Sequence, residues 1–435
     1  MIDPALEPPP THDIVPSPGL WRNPAFLRVW SAATVSVFGS FVTRMALPFV
    51  AILTLSAGPI EVAVLRALEL VAALLVGFVA GAWVDRLRRR PVLIWADIGR
   101  AGLLASIPIA AIGGWLSLPQ VFLVAALAAV CTTFFDVADK AYLPTIVGRS
   151  DLVRANGAIA ATSSAVEFLG FGIAGFLVTL FTAPIAIALD AVTFVVSALF
   201  LGTIRQPEPP PPPPADREPV VHEIVEGLRL VVRDPVLRGL ALGGMGLAAL
   251  WGAFGAVWLL FATDDLGLDP ALIGVIVALG GIGSLAGSLI AVRASRRFGI
   301  GPLAVVAMLV AAGANLLIPL APSGMPAVAV VMLLGQQLVG DMAITTFDVA
   351  EVSVRQARVA DRQLGRVNAT IRVALVVAQL AATLVAALVA EALGLRAAAF
   401  LAPIGALLGA VAIWASPVRT LRRIDPVEPA AVAAS

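Results

Sequence analysis

The chain has 435 residues, 60% of them hydrophobic and 13% charged, with a mean hydropathy of +0.97 and a formal net charge of +1. Soluble globular proteins carry about 25% charged residues, so the composition describes an integral membrane protein. One cysteine (Cys131, in an apolar run) and two histidines (His12 and His222, in polar stretches) exclude a disulfide framework and a His or Cys metal centre.

Residues 1–23 are proline-rich and polar. They lack a basic region followed by an apolar one, so they read as a disordered cytoplasmic segment and not as a signal peptide. A spanning helix needs about 20 predominantly apolar residues. On that rule spans fall near Phe26–Leu55, Val62–Val84, Pro91–Gly113, Leu118–Lys140, Ala155–Thr182 and Pro184–Ile204. A second set falls near Val236–Ala262, Ala271–Arg293, Gly301–Leu320, Pro326–Val352, Val367–Glu391 and Leu395–Ala415. The predicted fold is all-α, with twelve transmembrane helices in two pseudo-symmetric bundles of six, 24–205 and 235–418, and a tail at 419–435. Trp83, Trp95, Trp115 and Trp414 fall near predicted membrane edges, where amphipathic rings are favoured.

The arginines set the orientation. With the N-terminus inside, the inner loops hold Arg86–Arg90, Lys140, Arg205–Arg238, Arg293–Arg297, Arg355–Arg366 and Arg419–Arg423. The outer loops hold almost none, Arg396 being the exception, and Thr263–Pro270 carries three aspartates. Both termini are therefore expected in the cytoplasm. Between the bundles lies a linker, 206–234. Its first part, Gln206–Pro219, reads as a polyproline spacer. Val220–Arg233 reads as an amphipathic helix, either lying on the membrane interface or solvated.

The halves repeat. A shift of 212 maps Phe135 onto Phe347, Asp136 onto Asp348, Asp139 onto Glu351, Arg154 onto Arg366 and Asn156 onto Asn368. Homologous six-helix bundles joined by a linker are a transporter plan.

Gly81, Asp85, Arg86, Arg89 and Arg90 lie between the second and third spans. Here the chain resembles the major facilitator superfamily, over essentially its full length. The family's loop signature is a glycine, three variable residues, Asp-Arg and a basic pair, and only Arg88, where a glycine is usual, departs from it. The resemblance implies a gate in which Asp85 pairs with a basic residue of the other bundle in the outward-facing state. Arg372 is the expected partner. At a shift of 211 the second copy has Arg296 and Arg297 in place of Asp85 and Arg86, so only the first copy keeps the acid. Asp97 and Arg100, Leu143-Pro144 and Arg233–Pro235 resemble the bacterial macrolide-efflux and enterobactin-exporter branch. The antiporter motif of the fifth span is partly present: Gly170 and Gly175 match, Phe171 and Ala174 do not.

An ionisable side chain within the hydrocarbon costs about 2.5–3.5 kcal/mol on insertion scales, so each needs a reason. Arg44 and Glu69 lie at comparable depth in the first two spans and are expected to pair, either structurally or as a tuned proton carrier. Glu167, matched by Gln379 in the other half, is a second proton-coupling candidate. Asp190 reads as a helix-start acid favoured by the dipole. Asp136, Asp139, Asp348 and Glu351 read as gate or loop ion pairs. Gly280, Gly281, Gly283 and Gly287 suit close helix contacts between rocking halves.

The expected cavity residues are Phe38, Phe41, Met45, Trp251, Phe254, Trp258, Asn315, Asp341 and Gln379, with few charges, which suits a bulky, largely apolar substrate. The expected function is export of a hydrophobic or amphipathic drug or natural product across a bacterial inner membrane, by proton antiport and alternating access. A uniporter or importer of the same fold and a non-transporting membrane sensor are the alternatives. The expected partners are the small-molecule substrate, protons and the lipid bilayer, with no nucleic acid, no cofactor, no metal and a monomeric chain. No phosphate loop or nucleophile–base pair suggests an enzyme.

Overall fold

The computed structural model describes residues 20–84, 86–147, 151–206, 208 and 220–422, with the backbone alone at 81, 82, 153, 220–223, 361 and 362. Residues 1–19, Asp85, the prolines of the spacer and the tail beyond 422 lie outside the described residues, with the expectations placed on them.

Twelve helices long and apolar enough to cross a membrane run through the described residues. In the first half, α1 (Pro24–Phe49) continues into a π-helical turn, Val50–Thr54. It is followed by α2 (Pro59–Val84), α3 (Arg89–Gly113), α4 (Leu118–Ile146), α5 (Leu152–Phe181) and α6 (Ala183–Gly202). The short helix α7 (Val220–Arg233) separates the halves. In the second half, α8 (Pro235–Leu260) continues into the π-helical turn Phe261–Asp265, and α9 (Pro270–Phe298) follows. Then come α10 (Ile300–Asn315) with α11 (Leu317–Leu320), α12 (Pro326–Arg358), α13 (Asp361–Leu393), and α14 (Leu395–Ala399) with α15 (Leu401–Trp414).

The repeat extends to local chemistry. The first span of each half runs 31 residues and ends in its π-helical turn. Each begins with an Asx-Pro pair. Asn23 Oδ1 accepts from the N–H groups of Ala25 and Phe26 (3.0 and 3.3 Å). Asp234 Oδ1 accepts from Val236 and Leu237 (2.8 and 3.2 Å). The cap satisfies orphan donors, and proline at the first helical position removes another. Packing repeats as well: α1–α6, α1–α5, α3–α6, α2–α4 and α3–α4 correspond to α8–α15, α8–α13, α10–α15, α9–α12 and α10–α12.

One set of helix ends, called here the basic end, carries Arg86, Arg88, Lys140, Arg205, Arg238, Arg296, Arg297 and Arg355. At the opposite, far end, Arg396 donates to the carbonyls of Pro319 and Ala321 (2.7 and 2.8 Å) and to Ser323 Oγ (2.7 Å). That exception thus secures the end of α11. Trp83, Trp95, Trp115 and Trp414 are all exposed.

The glycines of α9 serve mainly their own half. A Cβ on Gly283 or Gly287 would meet the backbone of Leu338 or Met342 in α12, and one on Gly280 would meet the Asp341 carboxylate. Only Gly281 of the four faces the other half, at Phe168. The close helix contacts expected of these glycines are thus made within the half, by Gly280, Gly283 and Gly287.

Helix α7 is docked and not simply solvated. Val231 is buried with Leu237, Val359, Val367 and Ile371. Thr370 Oγ1 donates to the Ile224 carbonyl (2.9 Å), Glu226 pairs with Arg366, and Gly227 lies against the Arg366 backbone. Val225, Leu228 and Val232 stay exposed on the other face.

Candidate functional site: a charged cavity at the seam

The halves meet along α5–α9 and where α2 crosses α13 and α8. The described contacts concentrate toward the far end. The Ala271 N–H donates to Thr179 Oγ1 (3.0 Å), and the backbones of Gly175 and Gly274 approach so closely that a Cβ on either would strike the other helix. Gly58, before α2, lies near Glu391 at the end of α13. Toward the basic end the same seam widens into a cavity of about 860 Å³. Lys140, Asp136, Asp348 and Arg372, all on the basic-end portions of their helices, line its mouth.

The cavity takes in Arg44, Glu69, Met45, Glu167, Trp251, Phe254, Trp258, Asp341, Gln379, Arg100 and Arg372 from the expected residues. Helix α8 presents an aromatic shelf: Trp251 meets Phe254 edge-on (5.6 Å) and Phe254 stacks on Trp258 (5.1 Å). Three expected residues stand elsewhere. Phe38 packs on the hydrophobic core. Phe41 lies behind the wall, edge-on to Phe171 at 5.0 Å and under the Arg44 guanidinium at 5.2 Å. Asn315 is fully buried, donates to the Ala311 carbonyl (2.9 Å) and accepts from Gln336 (3.4 Å).

The expectation of few charges is corrected. Arg44, Arg66, Arg100, Lys140 and Arg372 line the cavity together with Glu69, Asp136, Glu167, Asp341 and Asp348. The reason is the helical period: seven helices each contribute one or two charges, scattered along the sequence, and their inward faces bring them to one cavity. The pairing is corrected too. Glu69 is bound by Arg66 one turn away (3.0 Å), and Arg66 also reaches the Arg44 carbonyl (3.4 Å). Among the described residues, no carboxylate lies within 4.0 Å of the Arg44, Lys140 or Arg372 cationic groups. No cation lies within that distance of Asp136, Glu167, Asp341 or Asp348. Glu351 alone of the four expected inner-end acids makes a described ion pair, with Arg355 at 3.1 Å.

The gating residues separate into two groups. Gly81 lies in the last turn of α2, and Arg86 is exposed in the turn after the helix. Arg90 Nε donates to the Leu201 carbonyl (2.9 Å), capping α6. The Glu208 carboxylate accepts from the Arg89 and Arg90 N–H groups (2.6 and 3.2 Å) and lies 3.6 Å from the Arg89 guanidinium. These contacts hold the loop to its own half. The pairing of Asp85 with Arg372 lies outside the described residues. Asp97 and Arg100, more than two turns into α3, form a buried ion pair apart from the loop. Arg100 also donates to Ser36 Oγ (3.2 Å) and lies between the rings of Phe135 and Phe194 (4.5 and 4.1 Å). In the second copy, Gly299 (φ +91) makes the turn between α9 and α10, at the place Arg88 occupies in the first.

Two groups escaped the sequence reading. Glu208 was hidden among prolines. Asp190 lies two turns inside α6, fully buried and hydrogen-bonded to Thr43 and Thr193, so the reading as a helix-start acid is corrected. A helix starting at Pro184 already places residue 190 beyond the first turn, and that spacing was the available signal.

Two repeated six-helix halves around a seam cavity are the plan of a membrane transporter. The chain belongs to the Major Facilitator Superfamily, whose family model matches residues 29–347. It is similar to the uncharacterized MFS-type transporter y4rN of Sinorhizobium fredii (strain NBRC 101917 / NGR234), 27% identical over 359 residues, 80% of this chain and 84% of that one. It is also similar to the multidrug efflux pump Tap of Mycolicibacterium fortuitum, 27% identical over 275 residues, 62% of this chain and 66% of that one. Among solved structures, a bacterial homologue of the iron transporter ferroportin shares the fold at 17% identity. Its inward-facing state matches with a TM-score of 0.72 over 89% of this chain and 98% of that one. Its outward-facing state matches with 0.58 over 90% and 98%.

Proposed function

We propose that this transporter exports an amphipathic small molecule bearing a charged group, with protons moving inward in exchange. The observation that carries the reading is the seam cavity itself. It joins an aromatic shelf on α8 to carboxylates, Glu167 and Asp341, that lack a described ion partner. An apolar ring system stacks on such a shelf, and a cationic group is attracted both to its rings and to the acids. A purely apolar cargo would leave those charges without compensation, so the charged lining narrows the substrate class. The arginine bias favours the basic end in the cytoplasm, and on that orientation this is the state that loads cargo from inside. Similarity to the pump Tap supports the outward direction.

Transport then requires the contacts at Thr179–Ala271 and Gly175–Gly274 to part while the basic end closes. Glu69 is compensated by Arg66, so Glu167 is the stronger coupling candidate in the cavity. One charge moved through 100 mV is worth about 2.3 kcal/mol, enough to shift a balanced two-state equilibrium more than tenfold.

Inverted vesicles holding the protein test the reading with a fluorescent amphipathic cation. Uptake is expected under an imposed proton gradient and is expected to stop when nigericin collapses it. Uptake indifferent to the gradient identifies a uniporter, and no uptake of any member of a dye panel identifies a sensor.

A further inference from the structure

Asp190 has an environment that the cavity does not explain. It is 1% exposed, on the face of α6 that packs against α1. Thr43 Oγ1 donates to one carboxylate oxygen, and Thr193 Oγ1 lies 2.9 Å from the other. Gly39 makes the approach possible, because a Cβ there would overlap both the carboxylate and the Thr193 hydroxyl. No cation touches it among the described residues. Arg100 and Asp97 of α3 are the charged groups that act on it through space. From α1 and α5 the charged groups Arg44 and Glu167 open into the cavity, and the π-helical turn after α1 carries none.

Arg100 is already engaged by Asp97, by Ser36 and by two aromatic rings. Asp97 Oδ2 has no hydrogen-bond partner among the described residues. Asp97 and Asp190 are thus two buried carboxylates near one guanidinium, which is paired with Asp97 alone. A buried carboxylate with no cation is strongly disfavoured, and a single proton removes the excess charge.

The hydroxyls accommodate that proton without a shift of heavy atoms. Thr193 Oγ1 lies 2.8 Å from the Asp190 carbonyl as well as 2.9 Å from Oδ1, so it keeps an acceptor in either state. Thr43 lines the cavity and also contacts the carboxylate. When Thr43 Oγ1 accepts a proton from hydronium in the cavity, leaving water there, and passes its own hydrogen to Oδ2, the new carboxyl O–H donates back to Thr43 Oγ1. The Thr43 hydrogen then points into the cavity.

We infer that Asp190 is a proton-binding site, filled from the cavity through the Thr43 hydroxyl while the basic end is open. Its place in transport rests on the proton-exchange reading above; its occupancy does not. Because α1 and α6 both belong to the first half, the site travels with that half, and the proton leaves when the cavity faces the other side.

Infrared difference spectroscopy of the full chain in liposomes tests the site directly. The wild type is expected to show a protonated-carboxyl band that is lost in Asp190→Asn and retained in Glu69→Gln and Glu167→Gln. In Thr43→Val, a near-isosteric change that keeps Asp190, the band is expected to shift and to exchange more slowly in heavy water. A band unchanged in Asp190→Asn overturns the inference; should that variant not fold, a band unmoved in Thr43→Val overturns it. In the vesicle assay, Asp190→Asn is expected to lose gradient-driven dye uptake. If the wild type shows no gradient-driven uptake while the band still maps to Asp190, the exchange reading fails and the proton site stands. Gradient-driven uptake undiminished in Asp190→Asn removes Asp190 from the coupling.

Discussion

Asp97 and Arg100 keep 0% and 3% of their side-chain surface exposed, whereas Glu69 and Arg66 keep 27% and 25%. Both pairs span one helical turn, so their energies differ through solvent. Removing one partner of a buried pair costs about 3–5 kcal/mol because the other charge is left uncompensated. An exposed or hydrated pair is worth about 0–1 kcal/mol. Asp97→Asn is therefore expected to lower the thermal midpoint in detergent clearly, and Glu69→Gln to leave it nearly unchanged; equal midpoints would contradict the burial argument. The glycines supply a second residue-scale test. Gly39→Ala forces a methyl against the Asp190 carboxylate and is expected to destabilise by about 1–3 kcal/mol through overpacking. Gly157, in α5, has nothing within 4 Å of a notional Cβ. Gly157→Ala is expected to be neutral or to stabilise by up to about 1 kcal/mol through helix propensity.

At the scale of elements, two connections act as clamps. Glu208 places its carboxylate on the first N–H groups of α3, where backbone donors lack helical partners and the helix dipole favours an anion. The loop before α3 is thereby tied to the end of α6. Helix α7 is seated on α13 by Val231, Thr370 and the close approach at Gly227. Gly227→Leu cannot retain that approach, since its side chain would enter the Arg366 carbonyl and the Thr370 hydroxyl. The variant is expected to release α7 and to make Arg229 and Arg233 cleavable by trypsin under conditions that leave the wild type intact. Protection equal to wild type would mean that α7 is held by something other than this face.

For the whole molecule, the far-end seam is the contact that must break for the cavity to reach the other side. Thr179 and Ala271 touch across it. With Cys131 replaced by serine, a Thr179→Cys, Ala271→Cys pair is expected to cross-link on oxidation and to stop dye transport, with reductant restoring it. Transport that continues through the cross-link would show that this seam stays closed throughout the cycle. In the same cysteine-free background, Arg372→Cys is expected to react with a membrane-impermeant maleimide from the basic side and to be protected once cargo closes that end.

The number, length and repeat of the spans were determined by local sequence. Within lipid every helix satisfies its own backbone hydrogen bonds, so a run such as Leu118–Ile146 declares itself without knowledge of its neighbours. The Asx-Pro starts at 23–24 and 234–235 are equally local. What the charges do is another matter. Arg44 and Arg66 are both candidates for Glu69 in the sequence, and side-chain direction decided for Arg66. Asp190 became a buried acid because α6 lies on α1 at Gly39, an approach that only helix packing establishes. The cavity's mixed charge likewise arises from seven helices, each turning one or two charged residues toward one space. Period and hydropathy belong to each segment alone; pairing and burial belong to the distances between segments, and those exist only in the folded molecule.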